Sequence, residues 1–599
     1  MSQKIINTKD LAFLLYELLD VERLTEFSRY ADHNRDTFDA AIELALKVGA
    51  ETFAPHNHLC DGDEPRFENG KVVIRPEVSD ALAVLRDTGL MAAGQDYERG
   101  GMQLPSVIAQ TCIGLIKGAN VSTQAYAGLT IAACNLIMAH GSDEYKRRFA
   151  EPMMAGRFFG TMCLTEPQAG SSLADIKTRA IAAGDGSYRI TGNKIFISAG
   201  DHELSENIVH LVLAKLPDAP PGVKGISLFI VPKILVNEDG SLGERNDVTL
   251  AGLIHKMGYR GTTSTMLNFG EQGGAVGYLV GEPHQGLAQM FHMMNEARIG
   301  VGLGSVMLGY TGYLHALEYA RERRQGRPLK QRDPQSPMIP LIEHADIRRM
   351  LLSQKAFVEG GLSLCLYAAT LSDEKNHAED PQLREESAGL LELLIPIVKS
   401  WPSQFCVEAN SLAIQVHGGY GYTREYPVEQ FYRDNRLNPI HEGTHGIQGQ
   451  DLLGRKVPMQ EGRFYQALLQ RMRATIAECA GVSELQASSE LLAAALDTLQ
   501  QITESLQAIR KEDVERGLAN AYLYMECFGH VVVGWMWLRQ AQAALRALQE
   551  KGIQPKAFYQ GKLKTCEYFM RYELPKPLAL ATVLQEGDRS TLEMPEECF

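Results

Sequence analysis

"NPIHEGTHGIQGQ", residues 438–450, holds His441-Glu442-Gly443-Thr444-His445, and two chemistries share that pattern. As H-E-x-x-H it is a zinc-peptidase signature, which needs one continuous helix so that histidines one turn apart face the same metal. As a loop it presents a lone carboxylate, Glu442, next to a residue without a Cβ. Pro439 precedes the motif and Gly443 and Gly446 interrupt it; each glycine costs a helix interior about 1 kcal/mol. The continuation H-x-x-G-x-x-H is absent, leaving only a downstream acid such as Glu461 as a third ligand. We therefore assign no metal ligands and read Glu442 as a lone carboxylate on a glycine-bounded loop, either solvated or catalytic.

Outward from this loop the chain changes texture twice. Residues 1–157 read as helices, with "FDAAIELALKVGAETFAPHNH" and "PEVSDALAVLRDTGLMAAG" spacing their apolar residues by three and four. Residues 158–275 read as a β domain: "HLVLAKL", "GISLFIV" and "STMLNFG" are strand-like, and "YRITGNKIFIS" (188–198) predicts a hairpin turning at Thr191-Gly192-Asn193. Residues 276–455 return to long helices rich in small residues and carry the 438–450 loop. Residues 456–599 look like an appended helical bundle. The fold class expected is α+β: a helical N-terminal domain, a middle β-barrel or sandwich domain, a C-terminal four-helix bundle and the extra bundle.

Four separated motifs resemble those of the acyl-CoA dehydrogenase family, over about 80–455 and in the family's order. "MCLTEPQAGSSLADIKTRA" (162–180) is similar to its T-E-P-x-A-G-S flavin segment, and "GNKIFISAGDHE" (192–203) to the partner strand. "QVHGGYGYTREYPVEQFYRD" (415–434) resembles Q-x-x-G-G-x-G and its E-Y-P continuation; "IHEGTHGIQ" (440–448) resembles I-x-E-G-T-x-x-I-Q, whose Glu is the base. A Rossmann fingerprint does not apply, because the glycines of "GVGLGSVMLG" (300–309) sit inside a helix-like run rather than after a strand.

The resemblance implies FAD as cofactor and removal of an α-proton and a β-hydride from an acyl-CoA thioester, leaving a trans-2-enoyl product. Such chemistry needs a base held against the α-carbon and donors for the charge that develops on the thioester oxygen. Glu442 is the implied base. Its own N–H and a ribityl hydroxyl are the implied oxygen donors, and hydride goes to flavin N5. Relatives that place the base on the helix before a characteristic Arg would use position 297, which here is Ala297; Glu296, one residue away, is turned about 100° around a helix. Arg298 orders the active site or pairs with a helix neighbour, and both readings stand.

For the flavin the resemblance implicates Met162, Leu164 and Thr165 on one strand and Phe196, Ile197 and Ser198 on the next; Phe196 and Ile197 equally suit a plain sandwich core. Gly170 and Ser171 precede a possible helical turn, which would bind phosphate or be an ordinary N-cap. Thr444 belongs to the base motif and is assigned to the cofactor site. Arg323, in the cation-rich "RERRQGRPLKQR" (321–332), and Gln415, Gly418 and Gly419 match residues that in the family meet FAD across a dimer interface.

Composition narrows the function. The chain has 599 residues, net charge −14 and ten cysteines without C-x-x-C, consistent with a soluble cytoplasmic protein with reduced thiols. No apolar run reaches membrane length; "VVVGWMWL" (531–538) comes nearest. Segments beyond the family core resemble its longer bacterial branch, which includes enzymes for fatty acyl-CoA and for 3-methylmercaptopropionyl-CoA. The appended bundle would cover the surface where two dimers meet, so a homodimer is expected. The family implies electron-transfer flavoprotein as electron acceptor, with an oxidase the alternative. A DNA-binding flavoprotein is disfavoured, since Lys456–Phe599 carries sixteen Lys and Arg against eighteen Asp and Glu.

Overall fold

A computed structural model describes residues 4–331, 333–550 and 555–599, and for residues 291–294 the backbone alone. Two compact units emerge among the described residues: 35–297, and 4–34 joined with 298–599.

The first unit opens with helices Arg35–Val48, Pro76–Asp87, Ser106–Ala119 and Val121–His140, plus a small antiparallel pair, β1 (Arg66–Glu68) and β2 (Lys71–Val73). A larger sheet follows: β3 (Phe158–Cys163), β4 (Arg179–Ala182), β5 (Tyr188–Ser198), β6 (Asn207–Lys215) and β7 (Ile226–Pro232). A short pair, β8 (Ile234–Val236) and β9 (Leu242–Arg245), stands apart, and β10 (Val248–Leu253), β11 (Ser264–Phe269) and β12 (Ala275–Leu279) rejoin the main sheet. Hydrogen bonding returns on itself through β5, β12, β7, β6 and β4 to β5, closing a small barrel that β3, β11 and β10 extend. Every residue of β7 is buried, and Leu211, Leu228 and Ile230 pack with Ile137, Phe149 and Met153 from the helical layer. β3 lies tight on the Val121–His140 helix: a Cβ added at Gly160 would come within 2.6 Å of the Ala133 methyl.

The expected hairpin at Thr191-Gly192-Asn193 is not there. β5 runs unbroken through these residues, because its two halves have different partners: β12 and β4 pair with 188–191 and β11 with 192–198. Gly192 serves close approach instead, since a Cβ there would lie 2.8 Å from Cα and Cβ of Thr178.

The second unit is helical, built on the second part of the long helix Gly286–Glu322, helices Ala345–His377 and Pro381–His417, and the later helices Arg463–Ala480, Gln486–Glu512, Ala521–Gln549 and Lys556–Tyr568. The later helices pack directly on the earlier ones. Trp537 Nε1 donates to the Ala356 carbonyl at 3.0 Å, and a Cβ at Gly360 would meet Trp537 and Val533 at 2.7 Å. Buried charges tie in the N-terminal segment: Lys562 donates to Asp10 and Glu359, and Tyr310 donates to Asp10 at 2.8 Å. No helix among the described residues is long and apolar enough to cross a membrane. The architecture is thus helical, then a β region with a small barrel, then helical to the end.

Candidate active site

In the second unit, His441, Glu442 and Gly443 lie in a loop, and the helix His445–Asp451 begins only beyond them, capped by Thr444, whose hydroxyl accepts from the Ile447 N–H at 3.5 Å. The two histidines therefore do not share a helix face, and the metal-peptidase geometry is not formed. His441 bonds Asn438 at 3.0 Å. His445 stacks on Tyr522, ring centroids 5.7 Å apart, and burial together with the Lys399 and Arg436 charges lowers its pKa to about 4, so it is neutral.

Glu442 takes a left-handed backbone, φ 53°, followed by Gly443 at φ 94°. A non-glycine residue there is strained, and neighbours must hold it. Gln448 Nε2 donates to the Glu442 carbonyl at 3.0 Å, and Lys399 Nζ donates to the Gly443 carbonyl at 2.6 Å. Burial raises the Glu442 pKa, while the Arg298 and Lys399 charges pull the other way. A half-desolvated carboxylate is a stronger base than a solvated one. The Glu442 N–H makes no hydrogen bond among the described residues.

Arg298 is buried on the Gly286–Glu322 helix, 3.9 Å from Asp451 on the helix that follows the loop, and its charge also acts on Glu442. One ion-pair partner of Arg298 is thus supplied by the helix that follows the loop. Glu296 accepts from Asn135 Nδ2 at 3.0 Å within the first unit.

In the first unit, Met162, Leu164 and Thr165 follow the line of β3, and the Ile195 N–H donates to the Thr165 carbonyl at 3.0 Å, joining that stretch to β5. The register of β5 against β11 slips between Thr265 and Leu267, so Ile195 and Phe196 together oppose Met266. Phe196 sits in this bulge at φ 58° and is 62% exposed, whereas Ile197 is buried in the barrel core. The bulge rotates one aromatic out of the sheet without shifting the core residue beyond it. Neither the Thr165 nor the Ser198 hydroxyl has a hydrogen-bond partner among the described residues.

What holds this stretch is a pair that the motifs contain but whose task sequence reading did not identify. Lys194, fully buried, donates to Glu166 at 2.9 Å and to the Leu164 carbonyl at 3.0 Å. Glu166 also accepts from the Lys177 N–H at 2.6 Å and from the Thr178 N–H and hydroxyl at 3.0 and 2.6 Å. Burial alone would raise the Glu166 pKa, but Lys194 and these donors together hold it at about 2. The helical turn expected after Gly170 and Ser171 is a single 3-10 turn, Leu173–Asp175, in which the Ser172 hydroxyl donates to Asp175 at 2.9 Å. Gly170 and Ser171 are exposed ahead of it. One turn aligns too few peptides to build a helix dipole.

Gln415, Gly418 and Gly419 are exposed at the end of helix Pro381–His417, where Gly418 (φ 62°) stops the helix and a Cβ at either glycine would meet nothing within 4 Å. Arg323 is exposed too, its guanidinium 5.8 Å from the Tyr420 ring centre.

The whole chain has relatives of matching length. Residues 161–271 match the family model "Acyl-CoA dehydrogenase, middle domain", 284–457 "Acyl-CoA dehydrogenase, C-terminal domain" and 468–595 "Acetyl-CoA dehydrogenase C-terminal like". A 3-methylmercaptopropionyl-CoA dehydrogenase of Ruegeria pomeroyi is 37% identical over 94% of this chain and 95% of its own. The chain belongs to the acyl-CoA dehydrogenase family. A broad-specificity linear acyl-CoA dehydrogenase of Mycobacterium tuberculosis is 34% identical over the full length of both chains. The crystal structure of a Bacillus anthracis acyl-CoA dehydrogenase complexed with FAD has the same fold, with TM-score 0.74, 17% identity and coverage of 95% of this chain and 90% of that one. Because the relatives span residues 456–599 as well, the appended helices belong to this branch of acyl-CoA dehydrogenases rather than being a separate addition.

Acyl-CoA dehydrogenases are FAD-dependent oxidoreductases, and the residues here fit that group. An outward aromatic held by a strained bulge, flanked by two unpartnered hydroxyls on adjoining stretches, offers an apolar cover and polar contacts to a flat heteroaromatic ring.

Proposed function

We propose that this protein catalyses the FAD-dependent α,β-dehydrogenation of acyl-CoA thioesters to trans-2-enoyl-CoA, the opening step of fatty-acid β-oxidation, with Glu442 as the base. The observation that carries the reading is Glu442 itself: a carboxylate on a clamped, left-handed loop, with raised pKa and a free N–H beside it. The carboxylate takes the α-proton. The N–H of the same residue donates to the thioester oxygen, so charge leaving the α-carbon meets a fixed dipole. Arg298 keeps the loop region electrically balanced once Glu442 is ionised. When bound, FAD supplies the acceptor for the β-hydride. Met162, Leu164, Thr165, Ser171, Phe196 and Ser198 would hold it, with Ile197 supporting Phe196 from the barrel core.

The exposed Arg323, Gln415, Gly418 and Gly419 serve the cofactor of a second copy, which makes a homodimer the working assembly. A tetramer measured by sedimentation in solution would overturn that assignment. Electron-transfer flavoprotein reoxidises the cofactor, and the reaction takes place in the cytoplasm. The relatives favour two substrate classes, linear acyl-CoA and 3-methylmercaptopropionyl-CoA. A panel of both, added anaerobically to the purified yellow protein, ranks them by the rate of flavin bleaching. Glu442→Gln should retain flavin and lose bleaching by about a thousandfold or more, in line with loss of a general base; bleaching at the wild-type rate would refute the base assignment.

A further inference from the structure

Lys399 has no part in the chemistry above, yet it is fully buried and bonded to the residue after the base. It lies on helix Pro381–His417, between two prolines inside that helix, Pro396 and Pro402. Its Nζ is 2.6 Å from the Gly443 carbonyl. Burying an ammonium is expensive unless it is engaged. The charged and titratable groups around it come from several elements of the same unit: Glu442 on the loop, Arg298 on the Gly286–Glu322 helix, itself 3.9 Å from Asp451, and His445 on the helix after the loop.

We propose that Lys399 is a positioning residue for the base: it pins the Gly443 carbonyl, so fixing the left-handed turn at Glu442, and supplies a cation that keeps Glu442 ionised. This rests on the reading of Glu442 as base. Two consequences separate Lys399 from an inert core residue. With the cation removed, the carboxylate loses one of the two charges that favour its ionised form, and the acid limb of kcat/KM moves up. Burial, opposed by Glu442 and reinforced by Arg298, also lowers the lysine's own pKa to about 7. The wild-type protein therefore sheds this cation above neutrality, whereas arginine in its place would not.

The test compares wild type with Lys399→Met and Lys399→Arg in the flavin-loaded protein, reading flavin content, melting temperature and the pH dependence of anaerobic flavin reduction by acyl-CoA. Lys399→Met should keep its flavin, lower kcat more than it raises KM, and move the acid limb up by about one pH unit, the low end for loss of a neighbouring opposite charge. Lys399→Arg should return the acid limb to its wild-type position and remove any wild-type decline above pH 7. An acid limb unmoved in Lys399→Met, or equally displaced in Lys399→Arg, overturns the proposal. If Lys399→Met does not fold, the Arg profile decides alone: an acid limb at the wild-type pH with a flattened alkaline side supports it, and a profile displaced at acid pH refutes it. Glu442→Gln, measured alongside, separates the two claims, since reduction by that variant would refute the base itself, whatever Lys399 does.

Discussion

The buried pair Lys194–Glu166 makes a quantitative test of what holds the proposed flavin-binding stretch together. A Glu166 carboxyl at about 2 in place of its ordinary 4.5 corresponds to about 3 kcal/mol of stability at neutral pH. Burial also pulls the Lys194 ammonium down, so the pair as a whole is worth less than the carboxylate gains. Glu166→Gln removes one charge and leaves the other in an apolar surround, where breaking a buried pair costs about 3–5 kcal/mol. Because the folded pKa is depressed, the carboxylate's contribution is complete above 4.5 and drains away as pH falls toward 2. Thermal melts of wild type and Glu166→Gln should therefore be well separated at pH 7 and draw together as pH falls below 4.5. Adding Lys194→Met to Glu166→Gln should recover part of the loss, since no unpaired ion is left. Flavin content should fall in the single variant as well, because Lys194 also anchors the Leu164 carbonyl next to Thr165. Coincident melts at pH 7, or a gap that does not narrow in acid, would show that the pair is not what secures this stretch.

Two further substitutions probe strained backbone. Gly443→Ala places a Cβ at φ 94° and 2.5 Å from Gln448 Nε2, adding about 1–3 kcal/mol of strain and displacing the donor of the Glu442 carbonyl; flavin reduction should slow about 30-fold or more with flavin content unchanged, as stopped-flow bleaching will show. Phe196→Gly removes an exposed ring and lets glycine take φ 58°, so the apoprotein's melt should match wild type to within about 1 kcal/mol while FAD, followed by its fluorescence, dissociates more readily.

Much of this molecule was legible because its signals are local. The long helices announce themselves by period, the β insert by its continuous apolar runs, and the loop character of 441–443 by Pro439, Gly443 and Gly446. The order helical, β, helical follows from those signals alone. Where reading failed, the deciding partner lay elsewhere in the chain. Thr191-Gly192-Asn193 has the composition of a turn, but Thr178 crosses there and β5 changes partners, so the glycine marks a close approach. Gly170-Ser171-Ser172, by contrast, does precede the helical turn its composition suggests, a single one that ends at Asp175.

The same argument separates the proposed base from its supports. Glu442 can be found because the motif that resembles the family's, Ile440 to Gln448, is contiguous in the chain; its positive φ emerges only in the structure. Lys399 stands 44 positions before the carbonyl it holds, and Lys194 stands 28 after Glu166. A signal for the first did exist: a lone cation in "LLELLIPIVKSWPSQF", an apolar helical run with two prolines. Charged residues are almost never fully buried without a partner, so such a cation asks for an acceptor before any fold is known. Which acceptor it finds is set by packing. Here the acceptor is the Gly443 carbonyl, next to the proposed base, and the residue that looks like an error in a core helix becomes the one we propose to set the position and charge of Glu442.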